Sequence, residues 1–143
     1  MRLVDVYSTD KAPQILYDLL KERKDWQNIS HKKMPTWSEH VRFMESRPYA
    51  HWYLVEHEGE FVGAIYISKQ RELGRFLFER FTGKGLMHKA FKMLHALHPG
   101  KFIGNVSPLN RPAQKQVEDE GWKLVQYVYV LEADETPLSY HSN

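Results

Sequence analysis

The 143-residue chain has no cysteine. Disulfides, thiolate metal sites and a thiol nucleophile are therefore excluded, and with them any acyl-cysteine route of catalysis. Long apolar runs are also missing: nothing approaches the roughly 18 apolar residues of a membrane span. The opening residues reach Asp5 before any apolar stretch forms, so no secretory leader is expected and a cytoplasmic setting is the default. Charge of one sign is scarce too. A formal net charge of +2 suits an anionic small molecule but is too weak to argue for nucleic acid. What remains is 42% hydrophobic and 27% charged, the balance of an ordinary folded domain.

Residues 2–7 read as a first strand, rich in β-branched and aromatic side chains. Pro13 opens a helix carrying Ile15, Leu16, Leu19 and Leu20 on one stripe. Residues 23–33 are polar and irregular, with Trp26 and Ile29 as isolated apolar anchors. Thr36 followed by Glu39 has the spacing of a capping box, and Pro48 ends the helix that it starts. Three strands follow at 52–56, 61–67 and 72–78, the first two joined by the hairpin signal His57-Glu58-Gly59-Glu60. From Gly85 the period changes: Leu86, Ala90, Leu94 and Leu97 recur at helical spacing until Pro99-Gly100. A short strand at 102–106 leads to a helix with Asn110 as N-cap, Pro112 in its first turn and Gly121 at its end. Residues 122–131 are apolar on both faces and read as a buried strand. The order β-α-α-β-β-β-α-β-α-β gives an α+β fold, a mixed and mostly antiparallel sheet flanked by helices. Residues 1–132 form one domain in this reading, with 133–143 as a polar tail.

The sharpest local feature is Arg80-Phe81-Thr82-Gly83-Lys84-Gly85, between a strand and a helix. Glycines one residue apart let successive N–H groups turn outward together. The helix start adds unpaired N–H groups and the positive end of its dipole, while Arg80 and Lys84 add full charge. Such a turn cradles a diphosphate. It is neither a nucleoside-triphosphate loop, which needs four residues between the glycines and a following Lys-Ser/Thr, nor a dinucleotide fingerprint, which needs a third glycine.

With these residues the chain resembles the GCN5-related N-acetyltransferase family. That family's cofactor signature, Arg/Gln-x-x-Gly-x-Gly/Ala, is met at Arg80, Gly83 and Gly85. Its downstream signature is met by Val106, Asn110, Ala113 and Gly121-Trp122, with Trp122 standing for the usual phenylalanine. The resemblance spans residues 1–132 and implies a cofactor, acetyl-CoA, as co-substrate, with no metal. It implies that the backbone of Leu77 and Phe78 pairs with the pantetheine arm in a wedge between the strands 72–78 and 102–106. Arg80, Phe81, Thr82, Gly83, Lys84, Gly85, Leu86 and Met87 then hold the pyrophosphate, and Asn110 hydrogen-bonds the pantetheine. Met87 stands where the family commonly has a small residue. Glu72-Leu73-Gly74 resembles the Glu-x-Gly strand of branches acting on amino sugars and ribosomal proteins, and Glu39-His40 points the same way.

The implied reaction is attack of a neutral amine on the thioester, on a small-molecule or protein acceptor. Glu72 is the first candidate for the base that takes the amine proton, and its alternative is a solvated strand-end carboxylate. His40 is the second, against simple packing on its helix. The family's usual tyrosine for the departing thiolate is replaced by Val117, which leaves Tyr127 or Tyr129 as substitutes, or release of the thiolate into water. Ser107 is a further hydrogen-bond donor or plain turn chemistry. His95 and His98 are spaced to clasp a metal, but without a third ligand they read as complements to the helix end. The basic helix region around Lys84, His88, Lys89 and Lys92 reads as a solvated face rather than a nucleic-acid surface. Residues 23–35 and the end of the last strand are expected to shape the acceptor side, with Trp26, His31, Trp37 and Tyr49 available there although core packing claims most aromatics, in a monomer or homodimer. An acyl-CoA-binding domain without turnover is the alternative, and a nucleic-acid-binding module the third.

Overall fold

The hairpin signal at residues 57–60 forms as read. In the computed structural model, which describes residues 1–23 and 33–131, β2 (His51–His57) and β3 (Glu60–Ile67) are joined through Glu58 and Gly59. Both turn residues have positive φ, +52° and +79°, the geometry that matches strand twist in a two-residue hairpin. β1 (Arg2–Asp5) and β4 (Glu72–Leu77) flank this hairpin, and β5 (Ile103–Gly104) lies beyond β4. The sheet order is β1-β2-β3-β4-β5, antiparallel except for the parallel β4–β5 pair. The expected mixed, mostly antiparallel sheet is the one observed.

Two compact units divide the chain: residues 1–22 with 34–104, and residues 23–33 with 105–143. The first holds the whole sheet and three helices. α1 (Ala12–Lys21) and α2 (Trp37–Glu45) cover one face, where Val6, Ala12, Leu16 and Met44 pack on Trp52, Leu54 and Ala64. α3 (Leu86–Leu97) covers the other, with Leu86, Met87, Ala90 and Leu94 against Val55, Ile65 and Ile67. Full burial of a Leu or Ile side chain stabilises by about 1.5–3 kcal/mol, so these two layers hold the unit together. The capping box of α2 is complete: Glu39 N–H donates to Thr36 Oγ1 at 3.2 Å, and Thr36 N–H donates to Glu39 Oε1 at 2.8 Å.

Two details position the site. Val55 pairs with Gly63 and Glu56 with Phe61, which leaves Val62 as an extra residue in β3. That bulge bends the strand beside the end of β4, where Phe78 N–H donates to Val62 O at 3.0 Å. Gly63 lets β4 come close, since a Cβ there would run into the carbonyl oxygen of Phe76. The start of β5 is held by Arg71, itself in the left-handed region at φ +68°. Arg71 donates through Nε to Lys101 O at 2.9 Å and through Nη2 to His98 O at 3.0 Å, while its own carbonyl accepts from Ile103 N–H. Arg71→Ala removes both charge-assisted bonds, and a loss of about 2–4 kcal/mol in chemical denaturation is expected.

The second unit contains α4 (Arg111–Asp119), capped by Asn110, whose Oδ1 accepts from Ala113 N–H at 3.2 Å. Gly121, at φ +89°, ends the helix as the sequence implies, with Trp122 N–H donating to Val117 O. Residues 122–131 depart from expectation. They form no strand, and Tyr129 and Leu131 are 89% and 98% exposed. A two-sided apolar strand needs a ladder partner and cover on both faces. Among the described residues, α4 is the only regular element of this unit and has no buried side chain to offer. The anchors Trp26 and Ile29, His31 and the polar tail 133–143 lie outside the described residues. Among the described residues no helix is long and apolar enough to cross a membrane.

Candidate active site

Leaving β4, the chain makes one 3-10 turn, Glu79–Phe81, before α3 begins. Phe81 N–H donates to Phe78 O at 2.9 Å and Thr82 N–H to Glu79 O at 3.1 Å, while Thr82 Oγ1 donates to the same carbonyl at 2.7 Å. The amides of residues 81 and 82 are thus spent inside the turn. Gly83 and Gly85 follow at φ +79° and +71°. A Cβ at either would meet nothing within 4 Å, so it is conformation and not space that requires glycine there. Gly85 is the N-cap of α3 and supplies no side-chain acceptor. Consequently the N–H groups of Gly83, Lys84, Gly85, Leu86 and Met87 find no acceptor among the described residues.

Five unspent N–H groups at a helix start carry the positive end of a dipole worth about half a charge. Lys84 is exposed beside them. Arg80, also exposed, spreads its guanidinium over the rings of Phe78 and Phe81, at 5.3 and 4.6 Å from their centroids. The side chains of Leu86 and Met87 are buried in the core, so these two residues offer only their backbone. The arrangement fits a diphosphate. Relative to the sequence reading, the donor set narrows from residues 81–87 to 83–87.

The edge of β4 opens at the same end. β5 pairs only with Glu72 and Leu73, and from Gly74 onward that side of β4 has no strand partner among the described residues. Strand alternation decides which backbone groups face the opening. Glu72 O accepts from Ser68 N–H and Phe78 N–H goes to Val62, both away from β5, whereas Arg71 O accepts from Ile103 on the β5 side. Leu77 therefore turns its N–H and C=O toward the opening. Phe78 does not; its N–H is committed to the bulge.

On the opposite strand parity, Glu72, Gly74 and Phe76 share the sheet face of Tyr66. Tyr66 pairs directly with Gly74, and its ring occupies the space a Cβ would take there. Tyr49 stacks on Tyr66 at 3.7 Å between centroids and 8° between planes. Burial pushes both phenols above the ordinary tyrosine range. The sequence offered Tyr49 as an aromatic for the acceptor side but did not mark out Tyr66, although Gly74 in Glu72-Leu73-Gly74 was the trace that a bulky neighbour lay over the strand.

Three histidines have structural duties. His40 is buried, with Nε2 2.9 Å from Pro13 O and its ring beside Tyr17 and Trp37. His98 Nε2 lies 2.7 Å from Tyr53 Oη, its ring stacked on His51 at 3.6 Å. His95 packs on Phe91 and Phe102. Among the described residues no group of His, Asp or Glu is disposed to hold a metal. Burial, first, lowers the pKa of both His40 and His98, and His51 and Arg71 add to the effect at His98. Groups with depressed histidine pKa values bind protons more readily when unfolded. Stability is thus retained above the ordinary 6.5 and lost as pH falls through it toward the depressed values. A lower melting midpoint at about pH 5.5 than at about pH 7.5 is expected, and equal midpoints would contradict this assignment.

Asn110 and Tyr127 belong to the second unit. The Asn110 side chain caps α4, and Tyr127 is exposed, its ring 6.5 Å from that of Tyr129. Ser107 is buried, with Oγ accepting from Leu109 N–H at 3.2 Å.

No protein-family model and no curated protein matches the chain. Solved structures do. An acetyltransferase from Thermus thermophilus superimposes with a TM-score of 0.68 at 20% identity, over 87% of this chain and 88% of that one. The microcin C7 self-immunity acetyltransferase MccE, in complex with acetyl-CoA and AMP, matches at 0.61 and 18% identity, over 78% and 73%. A ribosomal-protein-alanine N-acetyltransferase from Brucella melitensis matches at 0.56 and 15% identity, over 84% and 82%. At such identities the likeness establishes the fold. The chain has the fold of these acetyltransferases, the one that its resemblance to the GCN5-related family implies.

Proposed function

We propose that the chain is an N-acetyltransferase, residues 1–132 acting as one domain that passes the acetyl group of acetyl-CoA to an amine. The observation that carries this reading is the set of unspent N–H groups from Gly83 to Met87, flanked by Arg80 and Lys84. They bind the pyrophosphate, and Leu77 pairs through its backbone with a pantetheine amide. Acetyl-CoA supplies an activated thioester. Glu72, at the start of β4 and two residues before its edge opens, takes the proton of the attacking amine as the N–C bond forms. The C–S bond then breaks, and the CoA thiolate leaves with the electron pair. Asn110 enters on its sequence motif alone, as a ligand of the pantetheine. Tyr127 enters on sequence alone too, as a donor to the thiolate in place of the tyrosine that Val117 replaces.

The neighbours in solved structures act on a ribosomal-protein alanine in one case and bind AMP in another, which keeps both protein and small-molecule amines in view. Val117 motivates the second reading, an acyl-CoA-binding domain without turnover. Thiol release from acetyl-CoA across a panel of amino sugars, polyamines, amino acids and N-terminal peptides separates the two. Amine-dependent release establishes the enzyme; binding with no release for any class establishes the binder.

A further inference from the structure

We propose that the amine acetylated by this chain carries a flat aromatic ring, which stacks on the exposed ring of Phe76 beside Tyr66 and Tyr49. The inference names a substrate class for the acetyl transfer proposed above and rests on that reading.

The aromatic surface is built on Gly74. The φ of Gly74 lies outside the left-handed region, so conformation does not require glycine; the phenol end of Tyr66 does, because it fills the Cβ position. The Tyr66 ring thus lies over β4. With one face of that ring against the strand, Tyr49 takes the other, stacked at 3.7 Å and 8°. Phe76 follows two residues after Gly74 on the same face of the strand. Its ring is 6.2 Å from that of Tyr66 and inclined by 26°, a separation that sets it beside Tyr66 and not above it. Phe76 is 42% exposed, and among the described residues Tyr66 is its one ring partner. The layer that Tyr49 occupies over Tyr66 is therefore open over Phe76.

Position and polarity select the occupant. Phe76 precedes Leu77, whose backbone faces the opening of β4, and one residue of strand is about 3.3 Å. A ring stacked on Phe76 needs only a short alkyl arm to bring its amine to that opening. Tyr49 and Tyr66 pair their phenols with each other. Glu72 is the one ionisable side chain that β4 places on this face. The surface offers ring faces and no row of polar groups to meet the hydroxyls of a sugar. Aromatic rings packed in offset or edge-on pairs gain beyond the area that they bury, so a flat ring is preferred to a saturated one. The amine nitrogen bonds the acetyl carbon and gives up one proton to the base, and CoA leaves with the C–S electron pair.

The test compares kcat/KM for acetylation of 2-phenylethylamine, of 2-cyclohexylethylamine, which keeps the frame without the flat ring, and of glucosamine. Wild type, Phe76→Leu and Phe76→Tyr are measured side by side. Wild type should favour the phenyl amine over the cyclohexyl amine by about fivefold. Phe76→Leu, apolar but without a ring, should erase that preference, and Phe76→Tyr should retain it. Equal values for the two amines in wild type, a preference that survives Phe76→Leu, or glucosamine as the best acceptor overturns the proposal. Acetyl-CoA binding by calorimetry tells the failures apart. Binding and transfer without ring preference remove the aromatic acceptor and leave the acetyltransferase standing. Binding without transfer to any amine overturns the proposal in favour of the binder, and no binding at all sinks the functional reading together with it.

Discussion

Gly85→Val is expected to weaken acetyl-CoA binding by about a hundredfold, or about 2.8 kcal/mol. Gly85 holds φ +71°, where a β-branched residue is strained by about 1–2 kcal/mol. The relaxed turn rotates the N–H groups of Gly85 and Leu86 off the diphosphate. Each charge-assisted bond lost is worth about 1.5–3 kcal/mol, so two account for the effect. Gly59→Val provides the control. Gly59 has φ +79° with nothing within 4 Å of a Cβ, so the backbone strain is alike, but it lies in the β2–β3 hairpin. It should lower stability and leave affinity untouched. Calorimetric titration of both variants checks the pair, and equal affinities for acetyl-CoA would remove the turn from the binding site.

Glu72→Gln should lower the rate of transfer by about 10²–10⁴ while leaving acetyl-CoA affinity unchanged. Glutamine keeps the shape and loses the basic oxygen. The residue is half-buried at the start of β4, away from the cradle at the other end of the strand, so cofactor binding has no reason to change. Pre-steady-state acetyl transfer to the best amine of the panel is the measurement. A rate within threefold of wild type would assign the base elsewhere.

The turn between β4 and α3 was legible because its conformation is local. Gly83, Gly85 and Arg80 are close in sequence, and backbone conformation within a few residues produces the donor set. The capping box at Thr36 and Glu39 and the hairpin at Glu58-Gly59 were legible for the same reason. Amides 81 and 82 were overcounted, because the 3-10 turn that consumes them leaves no mark in composition. Phe78 was misjudged through Val62, a bulge that depends on strand register. Tyr66 and its stacking with Tyr49 were invisible, since the place of Tyr66 over Gly74 is set by the pairing of β3 with β4. Residues 122–131 carried the pattern of a buried strand, yet a pattern forms no ladder without a partner. His40 was weighed as a base and is a packed side chain bound to Pro13 O.

The central claim, that the turn between β4 and α3 binds the diphosphate of acetyl-CoA, is tested most directly by amide NMR titration with acetyl-CoA. The account predicts saturable shifts that are largest for the N–H groups of Gly83 to Met87, with Leu77 following and Gly59 still. No saturable shift at millimolar acetyl-CoA, or shifts centred away from residues 77–87, would contradict it.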